Sequence, residues 1–173
     1  RDLKAARVSN DSRKLARAAH NMAVCLIEQG HLAAAETLLN ESAAEFKAAG
    51  QNPACVLFLE AQMAGMRGDK VTALEKARLA KDGLVKEDHA DARLESRLLV
   101  ADLLCEGGRL DEVQAMMKDI SRLAKQTESA RLRAWEAKIQ AFLLVREAPE
   151  KAAEQYDKRA ALLQECRLYH PMA

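Results

Sequence analysis

The side chains in this sequence that could do chemistry are four histidines, His20, His31, His89 and His170, and four cysteines, Cys25, Cys55, Cys105 and Cys166. A hydrolytic metal centre needs convergent ligands, and the spacings that would guarantee convergence are missing: there is no HExxH, no HxH and no CxxC. Only Glu28 with His31, and His89 with Asp91, lie close together along the chain. Histidines scattered in this way read as surface groups at helix ends, so no metal and no other cofactor is expected. A nucleophilic cysteine needs a base that lowers its pKa, whereas Cys25 and Cys105 fall on the expected core faces of helices, where thiols are inert. The run Cys105-Glu106-Gly107-Gly108-Arg109 has two glycines but no lysine, and it follows a helical pattern rather than a strand. It reads as a helix turn and not as a phosphate-binding loop. No catalytic residue is assigned and an enzyme is not expected.

The elements that carry these residues repeat. Leu26-Ile27-Glu28-Gln29-Gly30-His31-Leu32, Met66-Arg67-Gly68-Asp69 and Leu104-Cys105-Glu106-Gly107-Gly108-Arg109-Leu110 are the same punctuation at steps of 38 and then 40 residues between Gly30, Gly68 and Gly108. A fixed step in this range marks an array of helix pairs. Composition agrees: of 173 residues only three are proline and seven glycine, aromatics make up 3%, and β-branched residues never cluster. The fold class expected is all-α.

Asn10, Asp11 or Ser12 can cap a first helix running to about Gln29, with Leu15, Ala19, Met22, Ala23, Leu26 and Ile27 as its apolar stripe. Gly30 ends it, because glycine reaches the left-handed conformation of a helix C-terminus without steric cost. The return helix buries Ala35, Leu38, Leu39, Ser42, Ala43 and Phe46, and Gly50 closes it before Asn52-Pro53. The second pair has Leu57, Ala61 and Ala64, then Val71, Leu74, Ala77, Leu79 and Ala80. The third has Leu94, Leu98, Ala101 and Leu104, then Leu110, Val113, Met116, Met117, Ile120 and Leu123. In the fourth, Ala134, Trp135, Ala137, Ile139 and Leu143 lead to Arg146-Glu147-Ala148-Pro149-Glu150 in place of the glycine turn. Its last helix carries Ala152, Tyr156, Ala160, Leu163 and Cys166 and stops before Tyr169-His170-Pro171.

Small residues recur across each turn. Ala23, Ala61 and Ala101 each precede by twelve positions another small or β-branched residue, Ala35, Ala73 and Val113, so that paired helices can approach without a bulky side chain between them. With an apolar residue three positions on (Leu26, Ala64, Leu104), the G-x-L turn, and the pairs Ala35/Leu39 and Val113/Met117, the chain resembles the tetratricopeptide repeat superfamily in a branch with a period of 38 to 40 residues. The resemblance implies a right-handed α-α superhelix of about four repeats, near 12–50, 52–86, 89–126 and 128–168, within one domain, 1–173.

It also implies a concave groove lined by the first helix of each repeat. Mapped residue by residue, that groove takes Arg17, His20, Asn21, Val24 and Glu28, then Phe58, Gln62 and Met66, then Glu95, Leu98, Asp102 and Glu106, and finally Lys138. The expected function is a non-enzymatic interaction or scaffold module holding a protein or peptide partner, another subunit of a complex, or a second copy of itself. The alternative is an effector-sensing domain of a transcriptional regulator or signalling ATPase.

Charge narrows the partners. Lysine and arginine number 27 against 26 aspartate and glutamate, so no whole-chain field favours nucleic acid or an anionic membrane. Two local basic stretches, Arg1/Lys4/Arg7/Arg13/Lys14/Arg17 and Arg122/Lys125/Arg131/Arg133/Lys138, are diluted by Asp2, Asp11, Glu128 and Glu136 and lack stacking aromatics nearby. Nucleic acid is therefore disfavoured. No apolar run reaches the roughly 18 residues of a membrane helix, and unpaired cysteines suit a reducing compartment, so a cytoplasmic site is expected, or a nuclear one in a eukaryote. The opening Arg1 leads to the expectation of a piece of a longer protein.

Overall fold

The computed structural model describes residue 4 and residues 11–86, 89–145 and 147–169. Arg1 and Arg7 of the basic lead, Glu87 and Asp88 of the expected junction, Arg146 and His170 lie outside the described residues. The described part is all-helical: α1 (Ser12–Glu28), α2 (Leu32–Ala48), α3 (Ala54–Met66), α4 (Lys70–Gly83), a single 3₁₀ turn (Leu84–Lys86), α5 (Ala90–Glu106), α6 (Leu110–Ala124), α7 (Ala130–Leu144) and α8 (Pro149–Tyr169).

Local chemistry sets the boundaries. The Asp11 carboxylate caps α1 by accepting from the backbone N–H of Arg13 and Lys14, Asp69 does the same for α4 through Thr72, and Ser129 for α7 through Leu132. At the other ends, Gly30, Gly68 and Gly108 sit at φ 77°, 81° and 71°, which a side chain would strain. Each closes its helix with the same two bonds. The glycine N–H reaches back three residues (Gly30 to the Ile27 carbonyl, 2.9 Å), and the next N–H reaches back five (His31 to the Leu26 carbonyl, 2.8 Å). The pattern recurs at Gly68–Asp69 and Gly108–Arg109, so the period read from the sequence is a period of one hydrogen-bonded turn. The fourth turn closes differently, with Leu144 accepting from Glu147 and Ala148, and Pro149 opening α8.

The chain divides into two compact units, 1–84 and 85–173, each holding two of the four expected repeats. In the first unit α1 packs on α2 and α3 on α4, and α3 also touches α2 and α1. In the second, α5 packs on α6 and α7 on α8, with α7 also against α5 and α6. The core of the first unit is built on Ala16, Ala19, Ala23, Ala35, Leu39, Phe46, Val56, Ala61, Ala73 and Ala77, and that of the second on Leu94, Leu98, Ala101, Leu104, Val113, Ile120, Leu132 and Ile139. All six residues of the twelve-residue pairs, Ala23/Ala35, Ala61/Ala73 and Ala101/Val113, are fully buried.

Three expected stripes are displaced. On α1 the buried line is Ala16, Ala19, Ala23 and Ile27, leaving Met22 and Cys25 exposed. On α4 it is Ala73, Ala77 and Ala80, while Val71 and Leu79 are 71% and 57% exposed. On α8 the covered positions are Ala152, Gln155, Arg159, Leu162 and Cys166, one step round from Tyr156 and Leu163. On α1 and α4 the cause is close approach: where helix axes come together the centre of the contact takes the small alanine side chains, and larger apolar groups are pushed to its flanks.

Polar links tie the pairs at specific points. The buried Ser42 hydroxyl donates to the Ala16 carbonyl at 2.8 Å, joining α2 to α1. Asn52 donates to the Gly83 carbonyl at 3.2 Å, where a Cβ on Gly83 would lie 2.7 Å from that of Ala54. In the second unit the buried Glu136 carboxylate accepts from Ser121 at 2.7 Å and Gln140 at 2.8 Å. Replacing the fully buried Ala61 by leucine should cost about 1–3 kcal/mol through overpacking, seen as a lower denaturant midpoint. Ala44→Leu on the exposed side of α2 should stay within about 0.5 kcal/mol of the parent.

Candidate partner-binding face

The second unit brings together three of the thirteen residues first assigned to the groove, Glu95, Asp102 and Lys138. Glu95 and Asp102 lie two helical turns apart on one side of α5, and Arg131, Trp135 and Lys138 share one side of α7 at the same spacing. The two sides form a ladder: Glu95 pairs with Arg131, and Asp102 with Lys138. Both pairs join residues 36 positions apart, so α5 and α7 run parallel and in register, side by side. The Lys138 ammonium lies 2.8 and 2.9 Å from the two Asp102 oxygens, and the Trp135 indole N–H donates to one of them at 3.2 Å. Asp102 is thereby held from two positions of α7, and Trp135 is pinned with part of its ring in solvent.

The remaining candidates fall in the first unit. Arg17 and Asn21 are exposed on α1, and Gln62 is half-buried on α3. Phe58, at 9% exposure, contributes its ring to the core. His20 is half-buried, burial pushes its pKa down, and its Nδ1 has no hydrogen-bond partner. Of the wider groove set, Leu98 is fully buried, Val24 half-buried, and Glu28, Met66 and Glu106 exposed.

Two further charge clusters escaped the sequence reading. Glu60 and Lys76 pair at 2.6 Å across α3 and α4, and Arg97 and Asp119 at 2.6 Å across α5 and α6. Each pair is symmetric about its turn glycine, Gly68 or Gly108, and that mirror spacing is the signal that could have found it. Arg67, just past the end of α3, also reaches Glu36 on α2 at 2.7 Å. Glu36, Glu60, Arg67 and Lys76, with Leu39 and Met63, line a cleft of about 220 Å³ in the first unit. Asp119 is held below the ordinary carboxylate range chiefly by its hydrogen bond from Arg122 and then by that from Arg97.

Among the described residues no three His, Cys, Asp or Glu side chains gather as a metal site. The Cys105 thiol beneath Asp102 is pushed up to about 11, first by burial and then by the Asp102 charge, which leaves it protonated at neutral pH. Among the described residues no helix is long and apolar enough to cross a membrane. Compared with protein-family models, curated proteins and solved structures, the chain gives no match.

Two measurements follow. Alkylation followed by mass spectrometry should modify the exposed Cys25 well before the buried Cys105. Unfolding free energy should fall as pH drops below about 6.5, because the unfolded chain protonates its histidine before the folded chain protonates His20, and the fall should level off below the folded value. His20→Gln should flatten that window. The separate loss below about 3.8, from the lowered carboxyls of Asp11, Asp69 and Asp119, should remain.

Proposed function

We propose that the chain is a tetratricopeptide-like repeat module, a right-handed superhelix of about four helix pairs, that binds a protein or peptide partner through the faces of its first helices and works inside a larger cytoplasmic or nuclear protein or complex. The observation that carries this reading is the α5/α7 ladder. Its constant 36-residue offset sets α5 and α7 parallel and side by side, which supports a stacked helix array, and it places Trp135 on a charged surface. Indole rings held in place in this way are efficient contact groups, because little conformational freedom remains to be lost on binding.

The effector-sensing alternative draws on the cleft between α2, α3 and α4, whose volume of about 220 Å³ is below the range of about 300–1,000 Å³ usual for small-molecule sites. Its Lys76–Glu60 and Arg67–Glu36 pairs already satisfy one another, so a partner surface is the better reading. A variant carrying Trp135→Ala, Asp102→Ala and Lys138→Ala should keep its helical circular dichroism while losing, by at least tenfold in affinity, the partners that the parent retains in quantitative affinity capture. Capture of the same partners with unchanged affinity would sink the proposal.

A further inference from the structure

On the side of α5 away from the ladder, basic side chains gather against α6. Lys118, Arg122 and Lys125 follow one another at helical spacing over the second half of α6, and all three are exposed. Arg97 joins them from α5, because its guanidinium and that of Arg122 both bind the Asp119 carboxylate. The antiparallel register that sets residue 97 against 119 brings Arg93, one turn back on α5, beside the turn that carries Arg122. Five cations thus meet one carboxylate. Asp91, Glu95 and Asp102 lie on the opposite side of α5, Asp111 two turns before Lys118, and Glu128 beyond the end of α6.

Helix stability does not account for the cluster. Cations in the last turns of α6 suit its dipole, but Arg93 is the fourth residue of α5, at the end where the dipole is positive and disfavours a cation. Its Nε is buried without a hydrogen-bond partner, and Arg93, Lys118 and Lys125 have no acidic partner among the described residues. Arg97 is only 16% exposed at its side chain, and it is fixed at both ends: Nε binds Asp119 at 2.6 Å and Nη1 binds the Arg93 carbonyl at 2.9 Å.

We propose that this α5/α6 cluster binds a phosphorylated side chain of a partner protein, at a site separate from the ladder. A guanidinium has five N–H donors, and Asp119 with the Arg93 carbonyl uses only some of those on Arg97 and Arg122. The remaining donors meet phosphate oxygens, Arg93 supplies the buried end of the site, and the N-terminal dipole of α5 acts in the same sense. Charge decides the class of ligand. Five cations against one carboxylate leave four positive charges unanswered, and a phosphate dianion meets them better than a single carboxylate would. Nucleic acid is disfavoured because residues 85 to 134 include no aromatic side chain on which a base could stack. A membrane is disfavoured because the exposed positions of α6 carry no large apolar group to insert.

The probe is a fluorescently labelled 12-residue peptide with one phosphoserine and otherwise balanced charge, read by anisotropy beside the same peptide carrying serine or glutamate at that position. The phosphopeptide should bind saturably and at least tenfold more tightly than either, and its affinity should fall at least tenfold between low and high salt. Arg93→Gln and Arg122→Gln should each weaken it at least tenfold, while Lys151→Gln on α8 should leave it unchanged, with melting curves confirming that each variant is folded.

Equal affinity for the phosphoserine peptide and either control, or phosphopeptide binding that both arginine variants leave intact, would overturn the proposal. Tighter binding of a 12-nucleotide oligothymidine, or of vesicles containing phosphatidylserine, would also overturn it and assign the cluster to nucleic acid or to a membrane. The cluster shares no side chain with the α5/α7 ladder, so its failure leaves the docking function proposed above standing.

Discussion

The structure depends on how closely the two helices of each pair can approach. Twelve positions across each glycine turn, a small residue answers another, and those at Ala23/Ala35, Ala61/Ala73 and Ala101/Val113 are wholly enclosed. Alanine contributes little to burial by area. Its value is that it lets two backbones come together so that the larger groups on either side, such as Leu39, Met63, Leu98 and Ile120, interlock at high packing density. The glycine turns serve the same end, since a two-bond closure at positive φ returns the chain at once and brings the small positions opposite each other.

That geometry also organises the charges. Within a helix pair, opposite charges meet at equal distances on either side of the turn glycine, as Glu60 and Lys76 do about Gly68 and Arg97 and Asp119 about Gly108. Between the first helices of the second unit they meet by translation instead, 36 residues apart in both Glu95–Arg131 and Asp102–Lys138. Most of these pairs are partly exposed, and each contributes modestly to stability. Their larger effect is positional: the ladder fixes the orientation of Trp135 and leaves the α5 carboxylates in line along one face.

Much of the architecture was legible in the sequence. The three glycine turns, the proline at the start of α8, a cap among Asn10, Asp11 and Ser12 and the four helix pairs of the described residues all follow from local chemistry, which acts over four or five residues. The phase of the buried stripes was less legible. Hydropathy ranks Met22, Val71 and Leu79 above Ala16 and Ala73, yet the first three face solvent and the two alanines are enclosed, because close-packed helices choose for size at the centre of contact. The candidate face was read in part: Glu95, Asp102 and Lys138 came from the repeat register, while Trp135 was taken for a core residue and Arg131 for one of a scattered basic stretch.

By itself the sequence determined that the chain is all-helical, where its helices start and stop, and that they come in pairs, because turns and caps are decided by neighbours along the chain. The tertiary structure alone decided which of two adjacent helical stripes is buried, that the helices gather in two compact units, and that Trp135 hangs from the Asp102 carboxylate beside Lys138. Those outcomes turn on the distance between helix axes and on contacts between residues more than thirty positions apart. Neither is encoded in any short window of residues.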